Sequence, residues 1–267
     1  MAKVKMAAVM VALSLFCAGA ALAEDWKVQE GNTVGNVNAT TGTGNKVDVG
    51  SVKATNASGV KSVDIGTNNT TKDITVKNGG SVAVGSTDLT NATANKVTHN
   101  VVNNVGNVTA DNAAVSVGSI NASGAKVNNL SLENNGAKNQ AGDINATGAG
   151  SVVNIGSANL NNANISGDVA VKSTSNLKNV TATGGSTVDV GSLSAKGAKA
   201  GGITLNSNNK VTDNIKAEQG AKVAVGSANL DGLNTSGKVN MTTVNSVNGQ
   251  INAKGSGTNV NIGSMSK

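Results

Sequence analysis

Proline, tyrosine and arginine are absent from the 267-residue sequence, which has only one tryptophan and one phenylalanine. Without aromatic side chains, a folded core has to be narrow and filled by valine, isoleucine, leucine and alanine. The lack of arginine and aromatic residues also removes the side chains that read bases and stack on them. We therefore expect no nucleic-acid partner, although the net charge is +6.

Residues 1–23 differ in character from the rest of the chain. Two lysines precede a largely apolar run over residues 6–20, and Ala21-Leu22-Ala23 supplies the small residues that a signal peptidase recognises. We predict a cleaved secretory signal peptide of bacterial type, followed by one domain over residues 24–267. A membrane anchor or a lipoprotein fits this segment less well. No later segment predicts a membrane-spanning helix.

A five-residue motif, Val-x-Val-Gly-Ser, recurs along the domain, with Ile in place of the second Val in two copies. Its copies begin at residues 47, 82, 115, 153, 188, 223 and 260, so their spacing is 33 to 38 residues. Two β-branched residues around one variable residue indicate a strand with one buried face, and the glycine permits a turn at positive φ. These corner glycines are Gly50, Gly85, Gly118, Gly156, Gly191, Gly226 and Gly263.

Two further columns complete each repeat. The Val-x-Val segment is named strand A, and pairs such as Val63 and Ile65 form strand B. Strand C has the pattern Asn-Ile-x-Ala or close variants, and copies that begin with asparagine start at Asn36, Asn107, Asn179 and Asn214. Three short strands in about 35 residues predict one coil of a parallel β-solenoid, seven coils in all. Helical repeats of similar length are excluded, since the 3.6-residue apolar spacing is missing.

Two details predict how neighbouring coils interact. The apolar residue after the corner lies alternately two and four positions past the glycine, as in Val52 and then Leu89. We infer that adjacent coils stagger their bulky side chains. The Asn and Asp residues that begin strand C should stack at the strand spacing of about 4.8 Å and form a hydrogen-bonded ladder.

Residues that could perform catalysis are few and scattered. His99 is the only histidine and occupies a strand B position, so we predict a half-buried structural residue rather than a metal ligand or a base. The 15 carboxylates are mostly single, and only Asp48 and Asp64 are expected to approach each other across coils. A glycosidase would need a close pair in one groove. We predict no enzyme activity, no cofactor and no bound metal.

The two ends of the repeat array are candidate assembly sites. Trp26 and Val28 have the strand B offset, while Val260 and Ile262 form the last strand A. One molecule therefore stops where the next would continue. At such a junction, Met265 would meet Val52, both in the same placement relative to the corner glycine.

The signal peptide, the imperfect Asn/Gly/Ser-rich repeats and the absence of a catalytic constellation resemble the curli-type and Fap-type fibre subunits, which are secreted bacterial functional amyloids. This resemblance implies a secreted matrix or biofilm protein that polymerises head to tail with itself. It also implies a secretion or nucleation partner in the outer membrane. A monomeric surface adhesin built on the same solenoid is the alternative. Ice binding and polysaccharide cleavage are less favoured.

Overall fold

The chain forms a parallel β-solenoid of seven coils. The computed structural model describes residues 25–40, 44–133 and 139–266, and no helix occurs within these ranges. Every strand pairs in parallel with its counterpart in the next coil. The predicted fold class is therefore confirmed. The predicted signal peptide lies outside the described residues.

Strands A, B and C each generate a sheet, and a fourth sheet is present that the sequence analysis did not predict. Sheet A contains Lys46–Val49, Ser81–Val84, Ala114–Val117, Val152–Ile155, Thr187–Val190, Lys222–Val225 and Asn259–Ile262. Sheet C contains Val37–Ala39, Ile74–Lys77, Val108–Asp111, Ile144–Thr147, Val180–Thr183, Ile215–Glu218 and Ile251–Lys254.

The fourth sheet, sheet D, follows the corner glycines and consists of two-residue strands. They are Val52–Lys53, Thr87–Asp88, Ile120–Asn121, Ala158–Asn159, Leu193–Ser194, Ala228–Asn229 and Met265–Ser266. Strands this short show no alternating pattern in the sequence. They exist because the neighbouring coils supply their hydrogen-bond partners, so each coil has four strands rather than the three that we predicted.

Sheet B is much longer than the apolar pairs that predicted it. Its strands are Asp25–Val34, Val60–Thr71, Thr93–Val105, Lys126–Glu133, Asn139–Ala141, Asn164–Leu177, Lys199–Val211, Asn234–Thr235 and Val239–Val247. The alternation of buried and exposed residues continues through polar positions such as Asn69 and Thr71. Burial of these polar residues extends the strand beyond its apolar part.

The interior is divided into two apolar columns. One column lies between sheet D and the first half of sheet B, and it includes Leu89 and Val63. The other lies between sheets A and C and the last residues of sheet B, and it includes Val82 and Ile74. Buried asparagines and serines of sheet B lie between the two columns. We call this polar layer, together with the corner glycines that face it, the partition.

The bulky side chains of sheet D interlock as the sequence predicts. Leu160 is buried, and its neighbours at the same position in the coils before and after are Ala122 and Ala195. Two residues earlier the sizes are reversed, since Ala158 lies between Ile120 and Leu193. At each of the two positions, a large side chain is therefore stacked between small ones, and a small side chain between large ones. This alternation keeps neighbouring coils in close contact.

Candidate functional site

Backbone conformation and close packing both restrict the corner positions to glycine. All seven have φ between 55° and 61°. A Cβ at Gly50 would lie 2.5 Å from both the Asn32 Nδ2 and the Asn69 Oδ1 atoms, and a Cβ at Gly118 would lie 2.5 Å from Asn103 Nδ2. The left-handed turn favours glycine at this position, and contact with the asparagines of sheet B excludes any side chain.

The asparagines that touch the corner glycines form a ladder inside the protein. We call it the inner Asn column; its members are Asn32, Asn69, Asn103, Asn139, Ser175, Asn209 and Asn245. The Nδ2 atom of one coil donates to the Oδ1 atom of the next, at 2.9 Å from Asn32 to Asn69 and at 3.1 Å from Asn103 to Asn139. The ladder has a direction, because every donor points towards the coil of higher residue number.

Sequence reasoning missed the inner Asn column. Asparagine is so frequent in this chain that a column of it at the repeat period does not stand out. A detectable signal does exist, since each member precedes its corner glycine by 15 to 18 residues. Asn69 and Asn103 are fully buried, which is unusual for asparagine. Burial is tolerated because the side-chain amides bond to one another.

The serine of the Val-x-Val-Gly-Ser motif builds a second ladder. Its hydroxyl donates to the carbonyl oxygen two residues earlier, as from Ser86 to Val84 at 3.3 Å. The hydroxyl oxygen of Ser86 in turn accepts the backbone N–H of Ser119, the serine of the next coil, at 3.3 Å. The motif therefore ends in serine because a small hydroxyl can satisfy backbone groups on both sides of the corner.

The predicted ladder at the start of strand C is present, with a different bonding pattern. Side-chain oxygens accept backbone N–H groups of the following coil: Asp73 from Asn107 at 2.8 Å, and Asn107 from Asp143 at 2.9 Å. Asn179 and Asn214 continue it. The ladder does not depend on amide-to-amide pairs, which explains why aspartate alternates with asparagine. Asn36 lies exposed at the corresponding position of the first coil.

Asp143 shows that these carboxylates are stabilised in their charged form. The side-chain and backbone N–H groups of Asn179 donate to it at 2.9 Å and 3.3 Å. These bonds, the side-chain one above all, lower the pKa of the Asp143 carboxyl. Asp143 is therefore a charged structural acceptor at neutral pH.

Our prediction for His99 was wrong in degree, because the ring is fully buried. It occupies the column between Ile65 and Leu132, and its Nδ1 atom lies 2.7 Å from the hydroxyl oxygen of Thr87. Thr87 occupies a position that is apolar in the other coils, and so does His99. These two polar residues form a hydrogen bond with each other. Burial lowers the pKa of His99 to about 3. A neutral ring in this environment is structural.

No family model, curated protein or solved structure matches the chain.

The structure does not assemble the remaining catalytic candidates into a groove. Asp48 belongs to sheet A and Asp64 to sheet B, both at positions that alternate with inward-facing residues. Among the residues that the structure describes, no group of three or more His, Cys, Asp and Glu side chains could hold a metal ion. No described helix is long and apolar enough to cross a membrane.

The two end coils differ in how much of their interior is exposed. In the last coil, Ile251 is 51% and Met265 50% exposed, although both occupy inward-facing columns. Val260 and Ile262 of this coil are half-buried. In the first coil, Val37 is only 5% exposed, and the backbones of Trp26 and Val28 pair with Val63 and Ile65. The face formed by the last coil, residues 239–266, is called the open face.

Two titratable groups, the fully buried His99 and the partly exposed Asp189, predict an unusual pH dependence. For His99, the folded-state pKa of about 3 lies below the ordinary 6.5, so its contribution to stability is lost as pH falls from about 6.5 towards 3. Burial raises the pKa of Asp189 to about 6 from 3.8, so its contribution is full below about 4 and is lost as pH rises through 6. Between pH 4 and 6 the two contributions oppose each other.

We expect Asp189→Asn to reveal the contribution of His99. In the wild type, the effects of His99 and Asp189 on the free energy of unfolding should nearly cancel between pH 4 and 6. In the variant, the free energy of unfolding should decrease as pH falls, by up to about 1.4 kcal/mol per pH unit. Urea unfolding followed by circular dichroism at pH 4, 5 and 6 measures this. His99→Leu is the matched control and should show the opposite slope. Identical pH profiles for wild type and Asp189→Asn would contradict the prediction.

Proposed function

We propose that this protein is an extracellular structural subunit that stacks end to end into amyloid-like fibres of a bacterial matrix. The observation that carries the proposal is the open face, where inward-facing apolar residues such as Ile251 and Met265 are about half exposed. An uncovered strand edge with apolar columns is a template for another parallel coil. The first coil of a second copy has strands of the same four sheets, and its one mismatch is in sheet D, where Met265 would be stacked on Val52, another large side chain.

The ladders favour one orientation of stacking. In a head-to-tail contact, Asn245 Nδ2 of one copy would face Asn32 Oδ1 of the next, continuing the donor direction seen within the chain. The Ser264 oxygen would likewise face the N–H of Ser51, as Ser227 accepts the N–H of Ser264. In the inner Asn column, a contact between two first coils would place acceptor against acceptor, and a contact between two last coils would place donor against donor; both are unfavourable. The expected fibre is therefore polar.

A monomeric adhesin is the second candidate, and the first coil favours it. Val37, Ala39 and Val49 are each 4 to 5% exposed, so this end does not present an uncovered core like that of the open face. Removing residues 1–23, as the predicted signal cleavage would, tests whether that end then accepts a partner. The fibre proposal therefore expects residues 24–267 to polymerise, and the adhesin alternative expects them to stay monomeric.

The test compares three versions of residues 24–267, incubated at neutral pH and imaged by negative-stain electron microscopy. We expect unbranched fibres with a meridional reflection at about 4.8 Å. Val260→Lys, which places a charge on the open face, should abolish them. Asn261→Lys is the matched control, because its side chain is exposed on the opposite side of the same strand. Circular dichroism verifies that both variants fold.

Two outcomes would overturn the proposal. Persistent wild-type monomers with a β-rich spectrum would favour the adhesin. Fibres that grow equally well with Val260→Lys would show that the open face is not the contact.

A further inference from the structure

The inner Asn column is interrupted at one coil. Ser175 pairs with Asn139 on one side and with Asn209 on the other, so a hydroxymethyl group occupies the position where the ladder needs an amide. Ser175 is 1% exposed. The column is thus split into a run from Asn32 to Asn139 and a shorter run from Asn209 to Asn245.

The interruption leaves buried polar atoms without partners among the described residues. These are Asn139 Nδ2, a donor, Asn209 Oδ1, an acceptor, and the hydroxyl of Ser175 itself. The hydroxyls of Ser173 and Ser207, one inward position earlier on the same strands, are also unpaired. Burying such groups without a hydrogen-bond partner is unfavourable. So many orphaned atoms in one place point to a missing partner.

The corner glycines show which side chains of the inner Asn column lie close to each turn. At Gly118, an added Cβ would meet two amides, with Asn103 Nδ2 at 2.5 Å and Asn139 Oδ1 at 3.3 Å. At Gly191, the corner beside Ser175, the three nearest atoms all belong to Asn209, at 2.5 to 3.1 Å. Ser175 therefore supplies no close contact on its side of this corner, whereas Gly118 has an amide on each side.

We propose that one or two ordered water molecules bind in the partition at Ser175 and complete the inner Asn column. The bridge has to accept a hydrogen bond from Asn139 Nδ2 and donate one to Asn209 Oδ1, which lies two strand spacings, about 9.6 Å, along the solenoid. Two waters in a chain, or one water together with the Ser175 hydroxyl, span this distance. Water does both, whereas a cation would face the Asn139 N–H and an anion would face the Asn209 oxygen. The serine hydroxyls raise the number of partners to the two to four that a buried water requires. This inference does not depend on the proposed fibre.

Water magnetic relaxation dispersion on residues 24–267 tests it, together with a crystal structure that resolves ordered water. The wild type should show long-lived buried water, and density should bridge Asn139 and Asn209. Ser175→Asn, which restores the amide, should lose that signal and raise Tm by a few degrees. Asn103→Ser creates an equivalent gap in another coil and should add long-lived water while lowering Tm.

Equal dispersion in the wild type and Ser175→Asn would overturn the proposal. An empty gap in the density, or Asn139 turned to a different partner, would do the same. If Ser175→Asn does not fold, the Asn103→Ser comparison decides: unchanged dispersion in that variant would show that such gaps stay dry.

Discussion

Gly85→Ala is expected to lower the free energy of unfolding by about 2 to 5 kcal/mol. Part of this is the left-handed backbone, which costs a non-glycine residue about 1 to 2 kcal/mol. The rest comes from overpacking, because the new Cβ would lie 2.6 Å from Val101 Cγ1 and 2.7 Å from Asn103 Oδ1. The asparagine cannot move away cheaply, since it is buried and bonded to Asn69 and Asn139.

Gly185→Ala is the matched control for this experiment. Gly185 also has a positive φ, of 78°, but nothing lies within 4 Å of its Cβ position. The control should lose only the backbone contribution of about 1 to 2 kcal/mol. Urea unfolding monitored by circular dichroism measures both variants. Equal losses would show that the partition is not tightly packed at its glycine corners.

Leu160→Ala should be comparably destabilising, by about 2 to 5 kcal/mol. The neighbours in the adjacent coils, Ala122 and Ala195, are too small to fill the cavity. Adding Ala158→Leu to this variant tests the stagger itself, because the double variant keeps the composition of the coil. It would put a bulky side chain in line with Ile120 and Leu193.

The double variant should remain destabilised relative to the wild type, because overpacking replaces the cavity. Thermal and urea unfolding of the three proteins give the comparison. Full recovery of stability in the double variant would mean that the total volume in each coil matters and that the alternation between coils does not.

The fold could be predicted because the glycine corners repeat at a regular period and because each apolar residue flanking the variable position faces inward. The interlocking of Leu89 with its neighbours was predictable for the same reason: it is a pattern of side-chain size along one column. Such features are local in the sequence and repeat in every coil. Seven copies make them visible above the variation of individual positions.

The partition could not be predicted, since its cause is a contact between distant parts of one coil. Nothing near Asn69 shows that it faces two glycine corners, because that depends on how sheet B lies against the turn between sheets A and D. The two-residue strands of sheet D are likewise created by the neighbouring coils. His99 was placed in the correct column, but its complete burial depends on Thr87, which lies in a different sheet.

The alternation of large and small side chains means that a single coil is not an interchangeable unit. If the second coil were deleted, Val52 would be stacked on Ile120 and two bulky layers would be adjacent. If the second and third coils were deleted together, Val52 would be stacked on Ala158, which preserves the order found along the chain. Internal coils should therefore be gained or lost in two-coil blocks, such as the 68 residues from Val52 to Ile120, whereas loss of a coil at either end leaves the alternation intact.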